Sequence, residues 1–222
     1  MARAFLLLTV LPLVFAAKVH FAAETSTTND VGNEWKMATN SQEVTVYTRT
    51  RSGSNLKEFK AVGEIDASSR AVHAVIDDLA GYPSFMPYVT ECRLVTRESN
   101  SSVITYQRLS PKICQDRDYT LRVWKQSWPG ADGFVYSNRW EPANELGPAE
   151  KKGIIRVKIC EGRWLLEPDG ATKTRATYTV YTDTGGAIPV FIANRVSQIG
   201  IGRLFAAVRK QVKDPKYDAS ER

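Results

Sequence analysis

Short stretches in which apolar and polar residues alternate run along most of the chain, and this period of two predicts β-strands. Two such stretches, residues 44–49 and 58–65, are joined by a turn and form a predicted hairpin. Seven later stretches are short, rich in β-branched and aromatic residues, and bounded by Gly, Pro, Asn, Asp or Ser. Their short connections favour antiparallel pairing. They are residues 91–97, 103–109, 118–124, 133–140, 153–159, 163–167 and 174–182.

Two segments have helical spacing instead. Residues 70–79 repeat apolar positions at helical intervals after several possible N-cap residues. Residues 183–212 begin with a Gly-Gly turn and Pro189, which suits a first helical turn, and contain no later proline. They predict a long C-terminal helix. The apolar positions of the first helix are Val72, Val75, Ile76 and Leu79, and its cap candidates are Asp66, Ser68 and Ser69.

The apolar residues of the final helix fall on two sides. Ile192, Val196 and Ile199 point one way, and the later apolar residues lie on roughly the opposite side. Gly200 and Gly202 mark the change. Either the helix kinks there and keeps one buried face, or it covers two apolar surfaces. In the second case, residues 188–199 line a cavity, residues 201–212 attach the helix to the sheet, and the glycines are the candidate hinge.

The order of these elements predicts the α+β class, with a mostly antiparallel sheet and a closing helix about 30 Å long. A helix laid across a curved sheet leaves a space that either side chains or a ligand must fill. Residues 82–89 are aromatic and interrupted by prolines. They are too broken for a helix or a strand, and we expect them to pack onto the domain.

The amino terminus has a different character. Arg3 precedes an apolar run over residues 4–17, a pattern typical of a signal peptide. An uncleaved anchor is the alternative, but a spanning helix needs roughly 20 apolar residues. We expect an exported protein, periplasmic if bacterial and otherwise secreted. Residues 24–40 have few apolar side chains, which favours partial disorder. The predicted divisions are 1–23 signal peptide with an uncertain cleavage site, 24–34 flexible leader, 35–213 domain and 214–222 disordered tail.

The net charge and its distribution limit the classes of partner that are expected. The formal charge of +6 falls to +4 without Arg3 and Lys18, and no Lys/Arg-rich run exists, which argues against nucleic acid. Transient contact with a membrane surface and a monomeric state are expected.

An oxidising compartment permits one disulfide among the three cysteines, and we favour Cys114 with Cys160 over pairs containing Cys92. Cys-x-x-Cys and cysteine–histidine spacings are missing, so no metal or cofactor is predicted.

Three local sequences resemble a known family. They are IDDLAGYPSFMPYV at residues 76–89, Arg117-Asp118-Tyr119, and TGGAIP at residues 184–189 followed by Asn194. In order and spacing they are similar to motifs of the START lipid-transfer family, across residues 35–213. The resemblance implies the helix-grip fold, in which a curved antiparallel sheet grips a long C-terminal helix over an apolar cavity. It also implies a sterol, phospholipid or other lipid as ligand, and a gate formed by the last helix and a neighbouring loop.

Candidate ligand-binding residues follow from the implied cavity and from side-chain chemistry. Large, mostly apolar groups with one polar atom suit a hydroxyl or a head group, and Met suits a mouth because its thioether adapts to varied shapes. The candidates are Tyr106, Tyr119, Trp164, Tyr178 and Tyr181 in the sheet, Phe85 and Met86 at the mouth, and Ile188, Phe191, Ile192 and Val196 at the final helix.

Arg117 is the candidate polar anchor. If it points inward, strand alternation places Tyr119, Leu121 and Val123 inward too, and turns Asp118 and Arg122 away. A lone buried arginine is costly unless it is paired. Glu91 is one possible partner, and a loop carbonyl or water is the alternative. Several sterol-binding members of the family carry a second arginine at the position that Val123 occupies.

Residues that would indicate catalysis are sparse. His73 lies in the first predicted helix, where a core or surface role is expected. Asp77 and Asp78 are adjacent, so on a helix they point in different directions and do not face each other as an acid–base pair. The predicted function is therefore lipid binding or transfer without catalysis. A cyclase- or aromatase-like enzyme using the same cavity, and an interaction module whose cavity is packed shut, are the alternatives.

Overall fold

The computed structural model describes residues 34–111, 114–186 and 190–217, with the backbone alone for 190–196. Ten strands and three α-helices form the described part of the chain. The strands are β1 Lys36–Ser41, β2 Val44–Thr50, β3 Lys57–Ile65, β4 Val89–Arg97, β5 Ser102–Leu109, β6 Arg117–Gly130, β7 Gly133–Pro142, β8 Ile155–Arg156, β9 Ile159–Asp169 and β10 Lys173–Asp183. The helices are α1 Ser69–Asp77, α2 Tyr82–Phe85 and α3 Val190–Gln211.

Nine strands form one continuous antiparallel path in the order β1-β2-β3-β10-β9-β7-β6-β5-β4. The tenth, β8, pairs in parallel with the start of β6, where Arg117 lies opposite Ile155. The predicted α+β class and mostly antiparallel sheet are confirmed. Because β3 pairs with β10, the two ends of the domain meet in the middle of the sheet.

The helices follow local sequence signals. The Ser68 side chain accepts a hydrogen bond from the Ala71 N–H and so caps α1, as expected of a serine just before the first turn. The apolar face of α1 is buried, including Val72 and Val75. The proline-interrupted stretch after it contains the short helix α2, with Pro83 in its first turn. The expectation of no regular element there is corrected, and the stretch packs on β4 and α3.

Both ends of the described domain contain elements that the sequence did not predict. Residues 36–40, expected to be partly disordered, belong to β1, whose side chains are mostly exposed. An exposed strand held by backbone pairing to β2 shows no hydrophobic alternation, so its sequence resembles a leader. The predicted tail also contains structure, because residues 215–217 form a 3-10 turn that buries Tyr217.

The strand predicted at residues 153–159 is much shorter than expected. Only Ile155–Arg156 pairs with β6, and the next strand begins at Ile159. Gly153 has a φ of +86°, which is a turn conformation that a strand does not contain. The segment therefore serves as a connection that crosses the end of the sheet.

The second half of α3 packs on the sheet. Ile201, Phe205 and Val208 are buried in this half of the helix, and Val212 is buried directly after it. The Phe205 ring lies 5.3 Å from that of Trp164 and covers Gly63, where an added Cβ would come within 3.0 Å of the ring. Ile199, predicted to face the cavity, is 46% exposed and is corrected to a surface position.

Candidate ligand cavity

A cavity of about 310 Å³ lies between the sheet and the helices. Its wall consists mainly of apolar and aromatic side chains from one face of β5, β6, β7, β9 and β10, from α1 and α2, and from α3. Among the α3 residues with described side chains, Ser197, Ile201 and Leu204 line it, together with Gly200. The space that a helix leaves over a sheet is therefore open in this fold.

Alternation along β6 determines which side chains enter the cavity. Arg117, Tyr119, Leu121, Val123 and Lys125 all line it, which agrees with the predicted orientation of this strand. The intervening Arg122 instead pairs with Glu98 at 2.9 Å on the other face. One strand thus carries apolar residues across the middle of the cavity and a cationic residue towards each end.

Three of the predicted aromatic residues, Tyr119, Trp164 and Tyr178, line the cavity. Trp164 lies between Tyr178, 4.7 Å away between ring centroids, and Phe205 on α3. The Tyr119 hydroxyl donates to Gln107 Oε1 at 3.1 Å. Burial raises the pKa of the Tyr119 and Tyr178 hydroxyls, so both stay protonated near neutral pH. Met86 also lines the cavity. That these residues bind a ligand stays a prediction.

Two other predicted tyrosines lie outside the cavity. Tyr106 alternates with the lining residues of β5, and its hydroxyl donates to Asp118 Oδ2 at 3.0 Å on the opposite face. Tyr181 lies three residues after Tyr178 on β10, so it also faces away, and it donates to Ser54 Oγ at 2.8 Å. Both are corrected to structural positions, because side chains an odd number of residues apart occupy opposite faces of a strand.

The remaining candidates are not brought into the described wall. Phe85 packs edge-on against Tyr82, which lines the cavity, and does not itself reach it. Ile188 lies outside the described residues, as do the side chains of Phe191, Ile192 and Val196.

Arg117 is 4% exposed and bonded to loops rather than to a carboxylate. Its Nε donates to the Thr184 carbonyl at 2.9 Å, and one terminal nitrogen donates to the Gln115 carbonyl and to Cys114 Sγ. Glu91, the proposed partner, instead pairs with Arg93. The alternative of a loop carbonyl is the correct one. Arg117 joins the loop before β6 to the loop before α3.

The opposite end of the cavity holds a polar cluster that was not predicted. We call Asp77, Lys125, Asn138 and His73 the distal cluster. Lys125 Nζ donates to Asp77 Oδ2 at 2.8 Å, and Asn138 Nδ2 donates to Asp77 Oδ1 at 2.9 Å. Lys125 lies an even number of residues after Arg117 in β6, so the sequence could predict that both face the same side of the sheet. This alternation alone could not show that Asp77 at the end of α1 lies above Lys125.

A contact joins α3 to the loop that follows α2. The Arg203 guanidinium donates to the Tyr88 hydroxyl and lies over the Tyr88 ring. Tyr88 lines the cavity and has a φ of +66°, which is unfavourable for a tyrosine. The last helix and this loop are therefore in direct contact beside the cavity. Their action as a gate stays a prediction.

The cysteines are free thiols in the structure, which corrects the predicted pairing of Cys114 with Cys160. Cys160 lines the cavity, and burial raises its pKa to about 11, so it is a neutral apolar group there.

In residues 34–111, 114–186 and 190–217 no group of His, Cys, Asp or Glu is arranged to hold a metal ion. Over the same ranges no helix has the length and apolarity to cross a membrane.

Comparison with known proteins gives a consistent result. A family model described as START domain matches residues 23–216. An uncharacterized protein of Pseudomonas aeruginosa is 32% identical over 75% of this chain and 80% of its own length. The phosphatidylcholine transfer protein of Mus musculus is 25% identical over 77% of this chain and 79% of its own length. A solved structure of a STAR-related lipid transfer protein fragment from Xanthomonas axonopodis has a TM-score of 0.71 and 25% identity, covering 81% of this chain and 99% of that one.

Proposed function

Because this chain belongs to the START domain family, we propose that it binds one hydrophobic ligand in the cavity, for transfer or sequestration. The ligand class is a sterol, a phospholipid or another lipid. The observation that carries the proposal is the mainly apolar wall of the cavity, which would remove a lipid from water at a gain of about 25 cal/mol per Å² of apolar surface. The volume of about 310 Å³ lies at the low end of the roughly 300–1,000 Å³ range of ligand pockets, which suits a single ligand.

The protonation of the wall favours binding without catalysis. A general base must lose its proton near the working pH. Burial raises the pKa of Tyr82, Tyr119 and Tyr178, and that of Cys160 to about 11, so these groups hold their protons. Asp77 is already paired with Lys125. A cyclase-like reaction on an apolar substrate therefore has little support from these groups.

Two glycines of α3 provide a test of the cavity. A Cβ added to Gly200 or to Gly202 would meet nothing within 4 Å. Gly200 lines the cavity, whereas Gly202 lines a separate groove between α3 and the first two strands. A side chain at Gly200 would project into the ligand space, and the same side chain at Gly202 would not. The helix propensities of the two changes are equal.

We expect Gly200→Phe to reduce bound lipid about tenfold and Gly202→Phe to leave it unchanged, because the added ring occupies much of a small cavity. The measurement is lipid extraction and mass spectrometry of each protein purified from its native compartment. Stoichiometric lipid in the wild-type protein and in Gly202→Phe is the expected result. An empty wild-type protein, or equal lipid in both variants, would contradict the proposal.

We also propose that the protein is exported and acts as a monomer that touches membrane surfaces transiently. The apolar run at residues 4–17 supports export, and the modest positive charge suits anionic head groups. Amino-terminal sequencing of the mature protein would test the first point: an intact Met1 would contradict cleavage. Size-exclusion chromatography with light scattering and vesicle sedimentation would test the others.

A further inference from the structure

The distal cluster lies at the end of the cavity opposite Arg117. Lys125 and Asn138 are direct cross-strand partners in β6 and β7, and Asp77 ends α1 above them. All three line the cavity. Lys125 lies eight positions after Arg117 in β6, which corresponds to about 26 Å along the strand. A ligand lying along β6 therefore meets polar groups at a site remote from Arg117.

Hydrogen bonds orient the cluster. Because the Asn138 amide nitrogen donates to Asp77, its oxygen faces His73, whose Nε2 lies 3.2 Å away and donates to it. Burial lowers the pKa of His73, which keeps the ring neutral, and the ring is stacked on Tyr136 at 4.4 Å. The packed histidine thus positions Asn138, and Asn138 positions the Asp77 carboxylate.

Lys125 retains hydrogen-bonding capacity beyond this network. An ammonium group has three donors, and within the described residues the Asp77 carboxylate is its acceptor. Its side chain is 24% exposed, next to the cavity space. Asp77 lies 2.8 Å from the ammonium, so a full anion placed there would meet a carboxylate as well as the cation. A neutral oxygen acceptor avoids that repulsion.

We propose that the distal cluster binds a hydroxyl or carbonyl oxygen of the ligand through Lys125, and that the protein thereby selects lipids with a neutral polar group at one end of an apolar body. This inference rests on the proposed function and specifies its ligand class. Asn138 and His73 are positioning residues, because they act through Asp77. Arg117 also lines the cavity, but its described contacts are with loop carbonyls and Cys114 Sγ, and the proposal assigns the selection to Lys125.

The test uses two probes that differ by one hydroxyl, dodecan-1-ol and dodecane. Binding is followed by the intrinsic fluorescence of the protein, since Trp140 and Trp164 line the cavity. The two probes partition differently out of water, so the informative quantity is the ratio of their affinities compared between variants. Lys125→Met removes the ammonium at similar side-chain length. Lys152→Met is the matched control, because Lys152 is exposed and outside the cavity wall.

We expect Lys125→Met to lower the preference for dodecan-1-ol over dodecane about tenfold, the usual size of one hydrogen bond to a charged group. Lys152→Met leaves the ratio unchanged, and Lys125→Arg, which keeps the donors, retains most of it. Thermal unfolding of each variant shows that it is folded. An unchanged ratio in folded Lys125→Met overturns the inference, as does equal loss of both probes. If neither probe binds the wild-type protein, the proposed function itself fails and the inference fails with it.

Discussion

The part of β6 that lines the cavity has a cationic residue at each end, Arg117 and Lys125, on the same face of the strand, yet their surroundings differ. Arg117 donates through Nε and one terminal nitrogen to the carbonyls of Thr184 and Gln115, and these bonds hold two loops. Lys125 meets a side-chain carboxylate and keeps donors for other partners. A buried cation bonded to loop carbonyls stabilises the fold, whereas a cation paired with one side chain at the cavity wall keeps donors for a ligand. Position along the strand does not by itself decide which role applies.

The largest effect on stability is expected for an ion pair at the same end of β6 as Arg117, on the opposite face of the sheet. Arg156 and Asp118 form an ion pair at 2.7 Å, with side chains only 7% and 2% exposed. Arg156→Met would leave a buried carboxylate without its cation, so we expect a loss of about 3–5 kcal/mol in the free energy of unfolding, measured with urea. Arg139→Met, which breaks an exposed pair with Glu141, should cost under about 1 kcal/mol. If the two variants lost the same free energy of unfolding, the buried ion pair would not be a special source of stability at this end of β6.

Replacing Arg117 with Leu is expected to have the next largest effect. It removes the charged donor that holds the Gln115 and Thr184 carbonyls, at a cost of about 2 kcal/mol in the same unfolding measurement. The affinity ratio of dodecan-1-ol to dodecane should stay at the wild-type value. A change in that ratio without loss of stability would assign Arg117 to the ligand instead.

The smallest effect concerns Asp78, the neighbour of Asp77 that faces away from the cavity. Its Oδ2 accepts from the Tyr217 hydroxyl at 2.6 Å and from Lys216 at 3.0 Å. Tyr217→Phe should therefore lower the free energy of unfolding by about 1 kcal/mol at pH 7 and leave lipid preference unchanged.

The hydrogen bond from Tyr217 is the main cause that lowers the pKa of Asp78. A carboxyl with a lowered pKa stabilises the fold above its unfolded value of about 3.9, and this contribution is lost as pH falls through the folded value. The difference between wild-type protein and Tyr217→Phe should accordingly shrink below about pH 4. A difference that is constant from pH 7 to pH 3 would show that the carboxylate charge is not involved.

Much of the fold was predictable, because strands with one buried face keep a period of two and α1 has both an apolar face and a serine cap. The same alternation correctly placed Arg117, Tyr119 and Val123 together. Applied to Tyr178 and Tyr181, it shows that both cannot face one cavity, and the structure selects Tyr178. Tyr106 could not be assigned in this way, because the face of β5 depends on its register with β6.

The distal cluster could not be predicted from local patterns. Asp77 lies 48 residues before Lys125 and 61 before Asn138 in the chain, and their contact depends on how α1 crosses the sheet. The strand β1 was missed because its side chains are exposed, and Tyr217 because a single buried residue follows a polar segment. In each case tertiary packing supplies what the local sequence lacks.

The most direct test of the different roles of the two ends measures both quantities in one set of variants. For Arg117→Leu and Lys125→Met, the free energy of unfolding in urea and the affinity ratio of dodecan-1-ol to dodecane are determined together. We predict that Arg117→Leu loses about 2 kcal/mol and keeps the ratio, whereas Lys125→Met loses under about 1 kcal/mol and lowers the ratio about tenfold. A changed ratio in Arg117→Leu with an unchanged ratio in Lys125→Met, or the same stability loss and ratio in both variants, would contradict the different roles of the two residues.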